Sequence, residues 1–407
     1  MVSGGEVNRA KLEEVKRGVQ VFRGLQFKAD VPVEVQNKQE MTRYFEADLA
    51  REYGDEKLRN MALAYSKLGL LPDGFDLKKS LLDFYSDQVA AFYDPEEKKL
   101  FLPEDLNIGV AMSALQFVGR RDIAGEMVLA HELTHALQDQ NFALKERLAP
   151  SDNDDRSLAF RAVVEGDATL SGFEYLYGFV DEGSLARLNR ELQGNALSGF
   201  SQIAKIPESL LEGLLFQYYG GVSFVSRLLT EKGWPGVDLL YKSPPLSTEQ
   251  VLHPEKFFDM PDPPIDIVLK DLSTLFSSDW EKIEDNVLGE LMVRVLFREF
   301  VPEKEAEAIA EGWGGDRFAA FRRENKVAFI WATVWDSLKD AEEYDQGYRR
   351  ILSKKYAGSE QGRPDAYIER RDRRVIVVEG LEPSYVQDHI EKIWQSMELR
   401  EQSSKGR

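Results

Sequence analysis

Apolar residues recur along most of this chain at the three-and-four spacing of helices, interrupted by a few stretches that alternate with period two. Residues 6–36 read as an opening helix followed by a strand, because Val31–Val35 alternates apolar and polar. Asn37 then stands as an N-cap with Glu40 three residues on, a capping-box spacing that predicts a helix to about Glu52 and a second to about Leu68. Gly69 is the expected stop and Pro72-Asp73-Gly74 the loop beyond it. Residues 76–88 read as helical. From Val89 to Leu102, two short apolar runs flank a charged turn at Asp94-Pro95, which predicts a hairpin.

Residues 122–140 carry Ile123, Met127, Ala130, Leu133 and Leu137 on one helical face. The polar tract 150–156 breaks the chain, and a second long helix is expected from Ser157 to Gly178. Residues 207–231 read as a helix pair jointed at Gly220-Gly221, and 243–265, with its six prolines, as a loop-rich wrap. Beyond about 275, a helical part ends near Gly312, and the glycines of 312–315 read as a tight turn without the strand–helix order of a phosphate loop. Val327–Val334 follows as a buried strand, Asp336 as an N-cap, 337–352 as a helix, Ala366–Arg370 and Arg374–Val378 as a hairpin, and 383–398 as a last helix. Trp331, Trp335 and Trp394 are expected as core or interface anchors.

This order predicts an α+β fold in two parts. A body over 6–265 divides into an N-terminal lobe (6–140) and a helical part (141–265), and a C-terminal α+β lobe covers 275–400. Both lobes read strand, capped helix, charged-turn hairpin, helix. The C-terminal lobe is therefore expected to be a degenerate copy of the N-terminal one, silent because its last helix carries His389 without a paired histidine.

Composition narrows the chemistry. A formal net charge of −19 opposes binding to phosphate backbones and to anionic membranes, so no nucleic-acid partner is expected. The absence of cysteine removes disulfides and thiolate metal sites, leaving His, Asp, Glu or water as ligands. No run reaches the roughly 18 apolar residues of a membrane-spanning helix. Residues 1–5 have neither the basic start nor the apolar core of a signal peptide, so a soluble protein is expected, extracytoplasmic if an export signal has been removed. Oligomeric state is left open by the sequence.

Two of the four histidines fall in His131-Glu132-Leu133-Thr134-His135. At i and i+4 on a helix both rings reach one ion, and neutral imidazole suits Zn²⁺. Glu132, next to the first histidine, is placed to take a proton from water and pass it to a leaving amine. Asp139, one turn after His135, and Asp167 are candidates to orient a histidine through its other ring nitrogen. His253 follows a proline-rich stretch and is a candidate oxyanion donor or binder of a substrate carboxylate, against the plainer role of a packed loop histidine.

The run from His131 to Gln140 resembles the active-site helix of the zincin metallopeptidases. That resemblance implies a zincin-like body with a small mixed sheet, a zinc cofactor and a peptide or protein substrate. It also implies a third ligand on a later helix, as in the gluzincins, a group that includes thermolysin. Glu165 in Val164–Ala168 is the best match for that ligand, with Asp167 and Glu174 as rivals. Tyr218–Phe224 resembles the gluzincin Tyr-x-x-Gly-x-x-Phe helix, which implies Tyr218 as an oxyanion donor, with Tyr219 as the neighbour able to replace it. Zincins place a strand edge beside this helix to pair with extended peptide, which the hairpin at 89–103 would supply. The alternatives are a zincin fold kept as a peptide-binding module, and a structural zinc protein or a hydrolase acting on another bond.

Overall fold

The computed structural model describes residues 2–3, 6–88, 91–104, 121–149, 151–178, 183–185, 206–270, 272–276, 278–357 and 365–402. It is an α+β fold. In its first part, helix α1 (Arg9–Arg23) precedes strand β1 (Val33–Gln36), α2 (Lys38–Glu52), α3 (Gly54–Leu68) and α4 (Leu77–Gln88). The capping box expected at Asn37 is present: its side chain accepts from the Gln39 and Glu40 amides, and Glu40 returns a bond to the Asn37 amide. Gly69 ends α3 in the left-handed region at φ 101°, a conformation glycine adopts without Cβ strain. The hairpin follows as β2 (Phe92–Asp94) and β3 (Lys99–Pro103); Val89 and Ala90 lie outside the described residues. The sheet order is β1-β3-β2, with β1 parallel and β2 antiparallel to β3.

Three long helices then carry the centre: α5 (Arg121–Phe142), α6 (Asp154–Tyr177) and α7 (Glu208–Leu240). The apolar face of α5, with Val128, Leu129, Leu133 and Leu137, packs on β3 and on Val15 and Val19 of α1. Helix α7 does not joint at Gly220-Gly221 as the sequence suggested. It runs straight through, and its break falls at Gly233, where φ is 63° and ψ −169°, just ahead of Pro235. The glycines serve contact instead. A Cβ on Gly221 would sit 2.0 Å from the Ala162 carbonyl oxygen, and one on Gly166 would sit 2.3 Å from the Gly221 carbonyl, so α6 and α7 touch backbone to backbone. Gly221→Ala is therefore expected to cost about 1–3 kcal/mol by overpacking, read as a lowered denaturation midpoint. An unchanged midpoint would show that the two helices separate freely.

The last part comprises α8 (Thr248–Leu252), β4 (Asp266–Leu269), β5 (Glu281–Asn286), α9 (Gly289–Arg298), α10 (Glu303–Ala310), β6 (Trp313–Arg323), β7 (Lys326–Trp335), α11 (Leu338–Lys355), β8 (Ala366–Arg371), β9 (Arg374–Glu379), α12 (Pro383–Ser396) and β10 (Met397–Arg400). The stretch read as a glycine turn opens strand β6. Gly315 sits at an irregularity in the β6–β7 register, where its φ of 156° brings its backbone against the Ile265 carbonyl. Ser337, rather than Asp336, caps α11 through its side chain.

Strand direction differs between the two sheets, and one apolar core joins residues from both parts of the chain. The five-stranded sheet β8-β9-β7-β6-β5 is antiparallel throughout, whereas β1 and β3 are parallel. The adjacency strand–hairpin is shared, but β7 runs against β9 where β1 runs with β3, so the C-terminal lobe is not a copy of the N-terminal one. The division between 6–265 and 275–400 also crosses a common core: Ala64, Leu68 and Leu70 pack with Phe318, Phe329, Trp331 and Val375 of the sheet. Trp331 and Trp335 are fully buried there, as expected of anchors. No helix among the described residues is long and apolar enough to cross a membrane.

Candidate metal centre

Helix α5 presents His131 and His135 one turn apart, and α6 brings Glu165 to meet them. His135 Nε2 lies 3.0 Å from His131 Nε2. Glu165 Oε2 lies 3.1 Å from the first ring nitrogen and 3.5 Å from the second. Ligands bound to zinc at roughly 2.0–2.1 Å in a tetrahedron stand about 3.3 Å apart, so these three atoms are spaced as three corners of one. His131 is buried and His135 and Glu165 are half-buried. Of the rivals to Glu165, Glu174 accepts from Trp234 Nε1 at 2.6 Å, and Asp167 is consumed by other partners.

The electrostatics favour a cation at the meeting point. Burial alone would lower His135, but the Glu165 and Glu132 carboxylates override it and push it up to about 9. Burial alone would raise Glu165, and the two imidazoles instead hold its carboxyl well below the usual range. The donor set of two imidazoles and one carboxylate matches that of zinc sites with a position left open. Histidine pair and carboxylate thus fit the ion that the motif implies.

Orientation of His135 comes from a residue the sequence reading passed over. Gln138, fully buried, accepts from His135 Nδ1 at 2.8 Å through Oε1, and its Nε2 donates to the Val164 carbonyl at 3.0 Å. One amide side chain thereby ties the His135 ring to the backbone beside Glu165. The i,i+3 spacing from His135 was its only sequence signal. Among the described residues His131 Nδ1 has no hydrogen-bond partner, and its ring lies 6.3 Å from that of Tyr218 at an angle of 30°.

Asp139 and Asp167 do not orient the histidines. Asp139 accepts from the Tyr93 hydroxyl at 3.0 Å, and Asp167 is fully buried in a pair with Arg23 and a bond from Tyr241. Their acceptor capacity is taken by stronger or nearer donors. Tyr93 is a second omission of the sequence reading. Its amide donates to Glu132 Oε2 at 2.8 Å while its hydroxyl donates to Asp139, so β2, an edge strand of its sheet, is fastened to α5 at both ends of one residue.

Glu132 is buried, which raises its carboxyl, with the facing imidazoles and the Tyr93 amide opposing. Tyr218 faces Glu165, whose charge, with burial added, holds the phenol well above its ordinary value. It stays a donor at any working pH. Tyr219 is directed elsewhere, donating to Glu212. His253 is also committed elsewhere: its Nε2 pairs with Glu290 at 2.8 Å, and none of the described bonds joins it to His131, His135 or Glu165.

A family described as a domain of unknown function, DUF8575, matches residues 276–389. That span lies wholly beyond the histidine motif. A solved structure described as "a putative hydrolase with a novel fold", from Chloroflexus aurantiacus, is 15% identical, with 63% of this chain and 91% of that one covered at a TM-score of 0.40. None of the curated proteins matches this chain.

A second acidic group, Glu249, Asp262 and Asp336, is not a rival centre. Lys256 Nζ stands among these carboxylates at 2.6, 3.4 and 2.7 Å and supplies the positive charge an ion would bring.

Proposed function

We propose that this chain is a zinc-dependent peptidase of gluzincin type, with His131, His135 and Glu165 as the protein ligands. The observation that carries the reading is the convergence of those three atoms from two helices at spacings of 3.0, 3.1 and 3.5 Å. Zinc supplies Lewis-acid polarisation of a carbonyl and of a water molecule.

The remaining work falls to the chain's own groups. Glu132 has one oxygen held by the Tyr93 amide, which leaves Oε1 to take the proton of the attacking water and return it to the amine. Tyr218, kept protonated beside Glu165, is placed to donate to the developing oxyanion. With the Tyr93 amide taken by Glu132, the outer edge of β2 beside α5 keeps its carbonyl side to accept from an extended peptide. A closed, structural zinc site would need a fourth side chain. Among the described residues Glu132 is the carboxylate grouped with the two histidines, and its tie to Tyr93 argues for a base rather than a ligand.

The test is metal removal. The protein is expected to carry about one zinc per chain, to lose cleavage of an unstructured casein substrate on treatment with a chelator, and to regain it with added zinc. The melting temperature is expected to fall on removal, because a ligand bound by the native state alone stabilises it. Full activity in chelated, zinc-free protein would sink the proposal.

A further inference from the structure

We propose that Arg161 binds the carboxylate at the C-terminus of a peptide substrate, and that the cavity beside it receives the side chain of that last residue. The inference rests on the peptidase reading and names its substrate class: the enzyme removes residues from the C-terminal end. One water cleaves the last peptide bond, its hydroxyl going to the acyl carbon and its proton to the amine, to give a shortened peptide acid and one free amino acid.

Helical periodicity places Arg161 at the site. It stands four residues before Glu165 on α6, on the same face and about 6 Å lower along the axis. On α7, Gln217 and Gly213 stand in the same relation to Gly221 and Gln217, beside Tyr218. Arg161, Gln217, Leu158 and Leu214 together line a cavity of about 250 Å³, so the cavity begins one helical turn below the metal ligand and the phenol. Tyr53 and Leu81 add to its mainly apolar wall. The volume falls below the ~300 Å³ lower end for small-molecule sites, which suits one large apolar side chain.

Arg161 is held loosely enough to take a ligand. Its ion pair with Glu52 spans 3.4 Å, longer than the ~2.7–2.9 Å of a strong charge-assisted bond, and its side chain is 36% exposed. Glu165 lies within its field, as do the Tyr53 and Tyr85 hydroxyls. In a chain of net charge −19, this guanidinium is a cation within the field of one proposed ligand, Glu165. It offers an anion the planar fork that matches a carboxylate in two parallel bonds. A terminal carboxylate one residue from the scissile bond lies within the reach of such a side chain.

The test uses the full chain loaded with zinc and a peptide ending in phenylalanine, as the free acid, as the amide, and with an internal glutamate in place of the terminal charge. Wild type is expected to release phenylalanine from the acid about 100-fold faster than it cleaves the other two, and Arg161→Gln to bring that ratio within about 3-fold. Arg161→Lys, which keeps the charge without the fork, is expected to retain part of the preference, and its circular-dichroism melt checks that the fold survives. Binding is read separately by calorimetry of N-acetyl-L-phenylalanine on Glu132→Gln protein, expected to weaken about 100-fold when Arg161→Gln is added. Equal cleavage of acid and amide by wild type, preference for the internal glutamate, or unchanged discrimination in Arg161→Gln would each overturn the assignment. Wild type that cleaves no peptide would overturn the peptidase reading instead, and the calorimetry then decides the role of Arg161 by itself.

Discussion

Glu132→Gln is expected to keep its zinc and to lose about 10³-fold in kcat, the range that a positioned general base contributes. The substitution isolates the proton transfer because the amide has the size of the carboxylate and its oxygen still accepts from the Tyr93 amide, so β2 stays fastened to α5. The carboxyl is buried and burial already disfavours its charge, so a neutral replacement is tolerated by the fold. What disappears is the oxygen able to hold a proton beside the ligand pair. Metal content by mass spectrometry, a melt, and kcat on the same preparation separate these effects. Cleavage at the wild-type rate would remove Glu132 from the reaction. Loss of zinc along with activity would make it a ligand.

The second large effect concerns stability. Asp167→Ala is expected to destabilise the protein by about 3–5 kcal/mol, because it strands a buried guanidinium. Arg23 and Asp167 are both fully buried, joined by bonds of 2.7 and 3.0 Å, and Tyr241 donates to the same carboxylate at 2.7 Å. Arg23 also lies under Trp234, 4.7 Å from its ring centre, and pairs with Asp238. This cluster pins the last turn of α1 to α6, two residues from Glu165, and to the distal part of α7. The double variant Arg23→Met with Asp167→Leu is expected to recover most of the loss, since well-packed apolar pairs replace buried ion pairs at little cost. Denaturant titration of the two single variants and the double one measures the coupling. A cost below about 1 kcal/mol for Asp167→Ala would show that the pair is not an anchor.

The three residues read from the motif differ in how they could be found. His131 and His135 needed nothing beyond helix geometry, and Glu132 followed from its place beside them. Glu165 came from the resemblance alone, and its place beside both rings comes from the packing of α6 on α5. Gln138 and the Tyr93 amide had no chemical signature, since a buried glutamine and a backbone N–H become functional only through what they touch. Asp139, Asp167 and His253 had the right chemistry and the wrong neighbours: each is closed off by Tyr93, Arg23 or Glu290. Arg161 gained meaning only when several helices, α6 and α7 among them, enclosed a cavity with it.

By itself the sequence determined the features whose physics is local: the capping box at Asn37, the stop at Gly69, the hairpin around Asp94, the buried face of α5, and the pair of imidazoles on one turn of it. These depend on residues within a few positions of one another, so spacing suffices. Only the tertiary structure decided the rest. Strand direction in the two sheets, the straight run of α7 through Gly220-Gly221, the strand hidden in Gly312–Arg323, the core shared by α3 and the C-terminal sheet, and the partner of every buried charge all depend on contacts between segments far apart in the chain. Such contacts are selected by packing and by competition among donors for each carboxylate, and neither is written in the periodicity of a single segment.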